Sequence, residues 1–140
     1  MIEVGIIGAS GYTGAELLRL TSAHPEVRVR FATGDSQAGT KVAELYPSLA
    51  GAHPETVFVP YDTALLADVD LVFCGLPHGA SQALMADLVE QVRWVVDLAA
   101  DFRLEDPELY PRWYGEAHAV PDLLDGFAYG LPELFRAEIA

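Results

Sequence analysis

Apolar and polar positions along the chain switch between two rhythms, and the order of switching predicts an α/β fold. Ile2–Gly8 is a short β-branched run closed by glycine, the pattern of a buried strand. Thr13–Ala23 places Leu17, Leu18 and Leu20 on one side with Glu16 and Arg19 off it. That is an amphipathic helix, ending near His24-Pro25, where proline disfavours continuation. Val27–Thr33 alternates Val27, Val29 and Phe31 against Arg28 and Arg30, a strand less completely covered at its start. Gly34–Pro54 shows no clear period beyond a short helix around Lys41–Tyr46. Thr56–Val59 reads as a short strand, and Asp62–Leu66 as a helical turn capped by Asp62. Asp70–Cys74 is again a buried strand. Gly79–Val92 is the strongest helix, with Ala80, Leu84 and Leu88 in one row flanked by Met85, Val89 and Val92. Trp94–Leu98 is a fifth strand. The last forty residues, broken by Pro107, Pro111, Pro121 and Pro132, read as short helices and loops.

Strands alternating with helices imply right-handed crossovers. The expected product is a Rossmann-like, doubly wound, mainly parallel sheet with helices on both faces. Its binding crevice lies beyond the carboxyl ends of the strands. No internal repeat or linker-like stretch divides the 140 residues, so 1–140 is read as one domain.

Composition removes several classes. A chain that is 51% hydrophobic is not intrinsically disordered, and one cysteine cannot make a disulfide scaffold. No apolar run approaches the roughly 18–20 residues of a membrane span. Met1 leads straight into a strand-like segment rather than a basic signal peptide, which makes the cytoplasm the default compartment. The 8 basic against 21 acidic residues give a formal net charge of −13. Such a surface repels nucleic acid and anionic membranes, so neither is expected as a partner. A phosphorylated ligand would have to be held by local geometry against the global field.

The first turn has that geometry. The first strand runs into Gly8-Ala9-Ser10-Gly11-Tyr12-Thr13-Gly14 and then directly into the first helix. Glycines at this spacing permit a tight turn, let backbone amides approach a pyrophosphate, and let the helix sit close to the sheet. The helix N-terminus then offers unpaired donors and partial positive charge, with no lysine required. The string G-x-x-G-x-x-G is weak by itself and becomes informative between a buried strand and an amphipathic helix.

Residues at the ends of later strands face the same crevice. After the second strand, Asp35 can bind a ribose hydroxyl, or Thr33 and Ser36 can cradle a phosphate while Asp35 points to water. Asp35 can equally just begin the long loop. After Cys74 comes Gly75-Leu76-Pro77-His78-Gly79, a backbone able to pass close to a flat ligand, with His78 placed to cap, to orient or to react. Cys74 itself resembles a small buried hydrophobe, with no activating base nearby in sequence. Arg103 lies past a strand's carboxyl end. It suits a substrate phosphate or carboxylate, or else a surface pair with Asp101 or Glu105. No Cys/His cluster has metal-ligand spacing, so no metal is expected.

The segments VGIIGASGYTGAELLRL, GLPHG, DLAADFRL and YGLPEL, in this order from Val4 to Leu134, resemble the N-acetyl-gamma-glutamyl-phosphate reductase family. That family belongs to the semialdehyde dehydrogenase-like group. The aminoadipate-phosphate reductases of lysine biosynthesis look similar, and a freestanding dinucleotide-binding or redox-sensing module is the alternative outside enzymes. The resemblance implies a cytoplasmic, NADPH-dependent oxidoreductase of arginine biosynthesis that reduces an acyl phosphate to the semialdehyde and is a homo-oligomer at full length. It further implies that Gly8–Gly14 form the NADP pyrophosphate site, that Pro77 and His78 lie beside the nicotinamide, and that Arg103 faces the substrate. The family usually reads Asp-Leu-Ser-Ala-Asp-Phe-Arg where Ala99 here removes a hydroxyl. It often has arginine or serines where Asp35 stands. The resemblance places the nucleophilic cysteine beyond Ala140, with the substrate domain and a catalytic histidine later still. No residue of the chain is therefore expected to be catalytic, and 1–140 is expected to be an inactive cofactor-binding domain.

Overall fold

In the computed structural model, which describes residues 1–139, four strands form one parallel sheet. They are β1 (Ile2–Ile7), β2 (Val27–Ala32), β3 (Leu71–Cys74) and β4 (Trp94–Asp97), in the order β2-β1-β3-β4. The order reverses between β1 and β3, and crossovers α1 (Tyr12–Ser22) and α3 (Gln82–Gln91) join β1 to β2 and β3 to β4. Short helices α2 (Val42–Leu45), α4 (Leu109–Tyr114) and α5 (Pro132–Ile139) complete the chain. No described helix is long and apolar enough to cross a membrane.

The strand period of two feeds two separate cores. Val4 and Ile6 of β1 meet Leu18 of α1 together with Ala32, Val42, Leu49 and Phe58 on one face. Ile7 of β1 and Val72 and Cys74 of β3 meet Met85 and Leu88 of α3 on the other. Phe102, Tyr110 and Leu124 extend this second core, so the proline-broken tail is part of the fold. Beyond β3 the first face is open: Trp94 and Val96 of edge strand β4 are exposed.

Two expectations about strands need correction. Thr56–Val59 is not a strand; the segment makes one parallel bridge, Val59 to Thr33, and one antiparallel bridge, Val57 to Lys41. The sheet has four strands rather than five. In β2 the simple alternation of Val27, Val29 and Phe31 also fails. Val4 pairs with Val29 but Gly5 pairs with Phe31, so Arg30 is an extra, bulged residue. The bulge flips the phase, so Val29 serves the first core and Phe31 the second. The Phe31 ring then lies directly over Gly5, where a Cβ would fall 2.2 Å from its Cζ atom.

The remaining segments differ less. The turn read over Asp62–Leu66 is a 3-10 helix at Thr63–Asp68, with Asp62 accepting from the Ala64 amide at 2.8 Å. The second crossover helix begins at Gln82 rather than Gly79, because residues 79–81 bend toward a carboxylate described below.

The bulge and Gly5 form one packing unit. Gly5→Ala is expected to destabilise the protein by about 1–3 kcal/mol through overpacking. Adding Phe31→Leu should recover part of that loss in chemical denaturation. A Gly5→Ala midpoint equal to wild type would show that the ring moves freely.

Candidate functional site

The crevice opens at the carboxyl ends of β1 and β3, where the strand order reverses. Gly8 closes β1 with φ +75, a left-handed conformation, and a Cβ there would lie 2.5 Å from the Gly75 carbonyl oxygen. The Gly8 amide donates to Thr33 Oγ1 at 3.1 Å, and the Ala9 amide donates to the Thr33 carbonyl at 2.7 Å. Both amides are thus taken up inside the protein. Helix α1 sits against the same turn: a Cβ on Gly14 would fall 2.3 Å from Ala9 Cα.

Gly11 is different. It is the extended N-cap of α1, and the nearest atom to an added Cβ is the Gly8 carbonyl oxygen at 3.9 Å. The first intrahelical bond runs from the Ala15 amide to the Gly11 carbonyl, so the amides of Tyr12, Thr13 and Gly14 have no acceptor within the helix. No acidic residue occupies the first turn, and the N-cap makes no side-chain bond. The Ser10 carbonyl accepts from the Tyr46 hydroxyl at 2.7 Å, which fixes the loop from outside, while the Tyr12 side chain projects into solvent. The arrangement offers an anion open space and free donors.

Thr33 needs correction as a phosphate-cradling residue. It is buried, and its hydroxyl and carbonyl both hold the glycine turn. Asp35 and Ser36 sit exposed on a 3-10 turn, Asp35–Gln37, past the end of β2. They are the first exposed polar side chains after that strand end.

The loop after β3 is organised by a residue that sequence reasoning considered only as a surface partner for Arg103. Asp101 is completely buried, and its carboxylate accepts from the amides of Gly79 (2.7 Å) and Ser81 (3.2 Å), the Ser81 hydroxyl (2.7 Å) and the Gln82 amide group (3.2 Å). His78 Nδ1 lies 2.8 Å from Asp101 Oδ1, and the His78 ring stacks on Tyr114 with centroids 4.5 Å apart. Burial pushes the Asp101 carboxyl up, but the bonds from Ser81, Gly79 and Gln82, with His78 nearby, bring it net below the ordinary value. The Asp101 carbonyl in turn accepts from Tyr110 and contacts His118 Nε2 at 2.6 Å. One residue therefore ties the α3 entry loop to the tail. The signal in the sequence was faint: α3 has no acid in its first turn, so a cap had to come from elsewhere.

Two other candidates resolve. Cys74 is fully buried in β3, and burial, with Asp97 adjacent, pushes its thiol up to about 12. Such a thiol is not a nucleophile at neutral pH. Arg103 is exposed on the loop after β4, and among the described residues it pairs with neither Asp101 nor Glu105. Its Nη2 reaches only the Ala99 carbonyl, at 3.4 Å. Pro77, like His78, stands exposed at the crevice edge.

Comparisons with known proteins agree on the class. The family described as semialdehyde dehydrogenase, NAD binding domain, matches residues 3–140. N-acetyl-gamma-glutamyl-phosphate reductases from Azotobacter vinelandii and Alkalilimnicola ehrlichii are 48% and 52% identical over 139 residues, which is 99% of this chain and 40% of theirs. The chain thus spans 40% of the length of these curated relatives. The crystal structure of aspartate semialdehyde dehydrogenase with NADP from Candida albicans superposes with a TM-score of 0.64 at 25% identity, covering 76% of this chain and 32% of that one.

With its thiol held neutral and enclosed, Cys74 should resist thiol reagents at neutral pH in the native protein and react fully after denaturation. Rapid labelling under native conditions would show that the end of β3 is open.

Proposed function

The chain belongs to the semialdehyde dehydrogenase NAD-binding domain family, and from that premise we propose that it is the NADP(H)-binding domain of an N-acetyl-gamma-glutamyl-phosphate reductase. Such an enzyme reduces an acyl phosphate to a semialdehyde in arginine biosynthesis. The observation that carries the reading is the Gly8–Gly14 turn, which leaves the first-turn amides of α1 without an intrahelical acceptor, with open space at Gly11 and no acid in that turn. That cradle fits a pyrophosphate.

Each residue has a distinct part. Gly8 and Gly14 bring the turn, β3 and α1 close enough to form the cradle, and Thr33 clamps it from below. Tyr12, Thr13 and Gly14 present the amide donors, and Ser10 and Gly11 lead the chain into them. Asp35 and Ser36 lie where an adenosine ribose and its 2′-phosphate would be read. Pro77 and His78 line the nicotinamide half, and Arg103 offers an unpaired guanidinium to the substrate's phosphate or carboxylate. When bound, the nicotinamide supplies hydride chemistry. The part of this chain is to bind, orient and shield. Residues 1–140 form the cofactor domain in this reading, and the nucleophile and substrate residues belong to the remaining length of the relatives. The whole enzyme is then a cytoplasmic homo-oligomer acting on a small acyl phosphate.

The 140-residue chain should bind NADPH and show no reductase turnover; measurable turnover would overturn the assignment of the nucleophile to another part. Gly11→Val should fold normally, since the added side chain meets open space, yet lose at least about tenfold in NADPH affinity, ~1.4 kcal/mol, by calorimetry. An unchanged titration would remove the loop from the site. If Asp35 holds the ribose, Asp35→Ala should weaken NAD more than NADP; equal affinities before and after would make it a loop residue.

A further inference from the structure

Ser81 stands between two carboxylates with one hydroxyl proton to give. Its Oγ is 2.8 Å from Asp97 Oδ2 and 2.7 Å from Asp101 Oδ2. Two ionised carboxylates cannot both accept the same proton well, and the other donors are unequally shared. Asp101 receives two backbone amides and the Gln82 side chain, while Asp97 receives the Ala99 amide alone, at 3.0 Å. Given to Asp101, the Ser81 proton completes four bonds from residues 79–82 onto that one carboxylate.

We propose that Asp101 is a positioning residue for the nicotinamide half of the crevice, holding His78 and loop 77–82 in place through the bonds that its carboxylate accepts from Gly79, Ser81 and Gln82. This rests on the cofactor reading above and adds how that site is kept in shape. Asp101 fixes the loop by its bonds to Gly79 and Ser81 and fixes the imidazole by its contact with Nδ1. At 2.8 Å from a carboxylate oxygen that nitrogen carries a proton, and Tyr114 holds the ring plane from one side. The loop leaves β3 at Gly75, where the Gly8 turn approaches it, so its shape is set directly beside the cradle.

Asp97 faces Cys74, Asp101 and Arg103; Asp101 faces His78 and Asp97, with Tyr110 and His118 on its carbonyl. Burial raises the Asp97 carboxyl, against the bonds from Ser81 and Ala99 that lower it. Asp101 is instead held below the ordinary carboxylate value by the bonds it accepts, so the ionised form is the one the loop is built around.

The test titrates NADPH and its nicotinamide-free fragment, 2′-phospho-ADP-ribose, into the 140-residue chain at neutral pH. The ratio of the two affinities removes effects common to both. Asp97→Asn, which leaves every bond to Asp101 in place, should keep the wild-type ratio. Asp101→Asn should lower NADPH affinity by about tenfold with fragment affinity within about twofold, and should speed amide exchange at Gly79 and Ser81. Should Asp101→Asn not fold, His78→Gln, at a half-exposed position, should show the same loss in the ratio. An unchanged ratio in Asp101→Asn and His78→Gln, or Asp97→Asn behaving like Asp101→Asn, would overturn the proposal. If wild type bound neither ligand the cofactor reading would fail, and the exchange comparison between the two asparagine variants would still decide the arrangement around Ser81.

Discussion

The structure depends on a close approach of three backbone segments at the end of β1. Gly8 in its left-handed conformation meets the carbonyl of Gly75, and Gly14 of α1 meets Ala9, with no room for a Cβ at either contact. A side chain at Gly8 would push β3 away, and one at Gly14 would lift α1 from the turn. Either change would break the cradle and the two cores together, because α1 covers one face and β3 leads to α3 on the other. Fold and site are therefore one packing problem here. Thr33 completes it from β2, so three neighbouring strands meet at the same turn.

That dependence explains what could be read from the chain. The glycine turn was legible because a strand period, a glycine triplet and a helix period follow one another without interruption over residues 2–23. Strands β3 and β4 and helix α3 were legible for the same local reason. The phase of β2 was not. Val27, Val29 and Phe31 obey the alternation perfectly, yet a bulge at Arg30 sends Phe31 to the opposite core. Its cause is the absence of a side chain at Gly5, twenty-six positions away from Phe31 in sequence, which opens the space the ring fills. A non-local vacancy leaves no trace in a local pattern.

Asp101 was obscured by a similar mechanism. In sequence it stands two residues before Arg103 in a polar loop, where a surface ion pair is the ordinary expectation. In the fold it lies beneath the N-terminus of α3 and supplies the acceptors that this helix lacks locally. A buried carboxylate is tolerated only when its lone pairs are matched, and here backbone amides, Ser81, Gln82 and His78 match them. The tail then belongs to the same structure, since His118 and Tyr110 hold the Asp101 carbonyl and Ala119 donates to Gln82. Proline-rich sequence reads as loosely connected loop, but these contacts make it the outer wall of the second core.

The negative charge takes on a different meaning once the basic residues are located. Arg19 pairs with Glu16, Arg28 and Arg30 with Glu3, and Lys41 with Glu55, while Arg93 and Arg112 lie over Trp94 and Trp113. None of these is at the cradle. In the proposed reading, a phosphate arriving there meets a chain of net charge −13 and is held by amide dipoles that cannot titrate or be screened away at contact range. Long-range repulsion and short-range attraction thus come from different sources. Salt weakens the first more than the second, the reverse of the behaviour of a lysine-built phosphate site. In that reading an acidic surface and a phosphate-binding turn coexist because the attraction depends on the φ of Gly8 and the open N-cap at Gly11, not on the sum of charges.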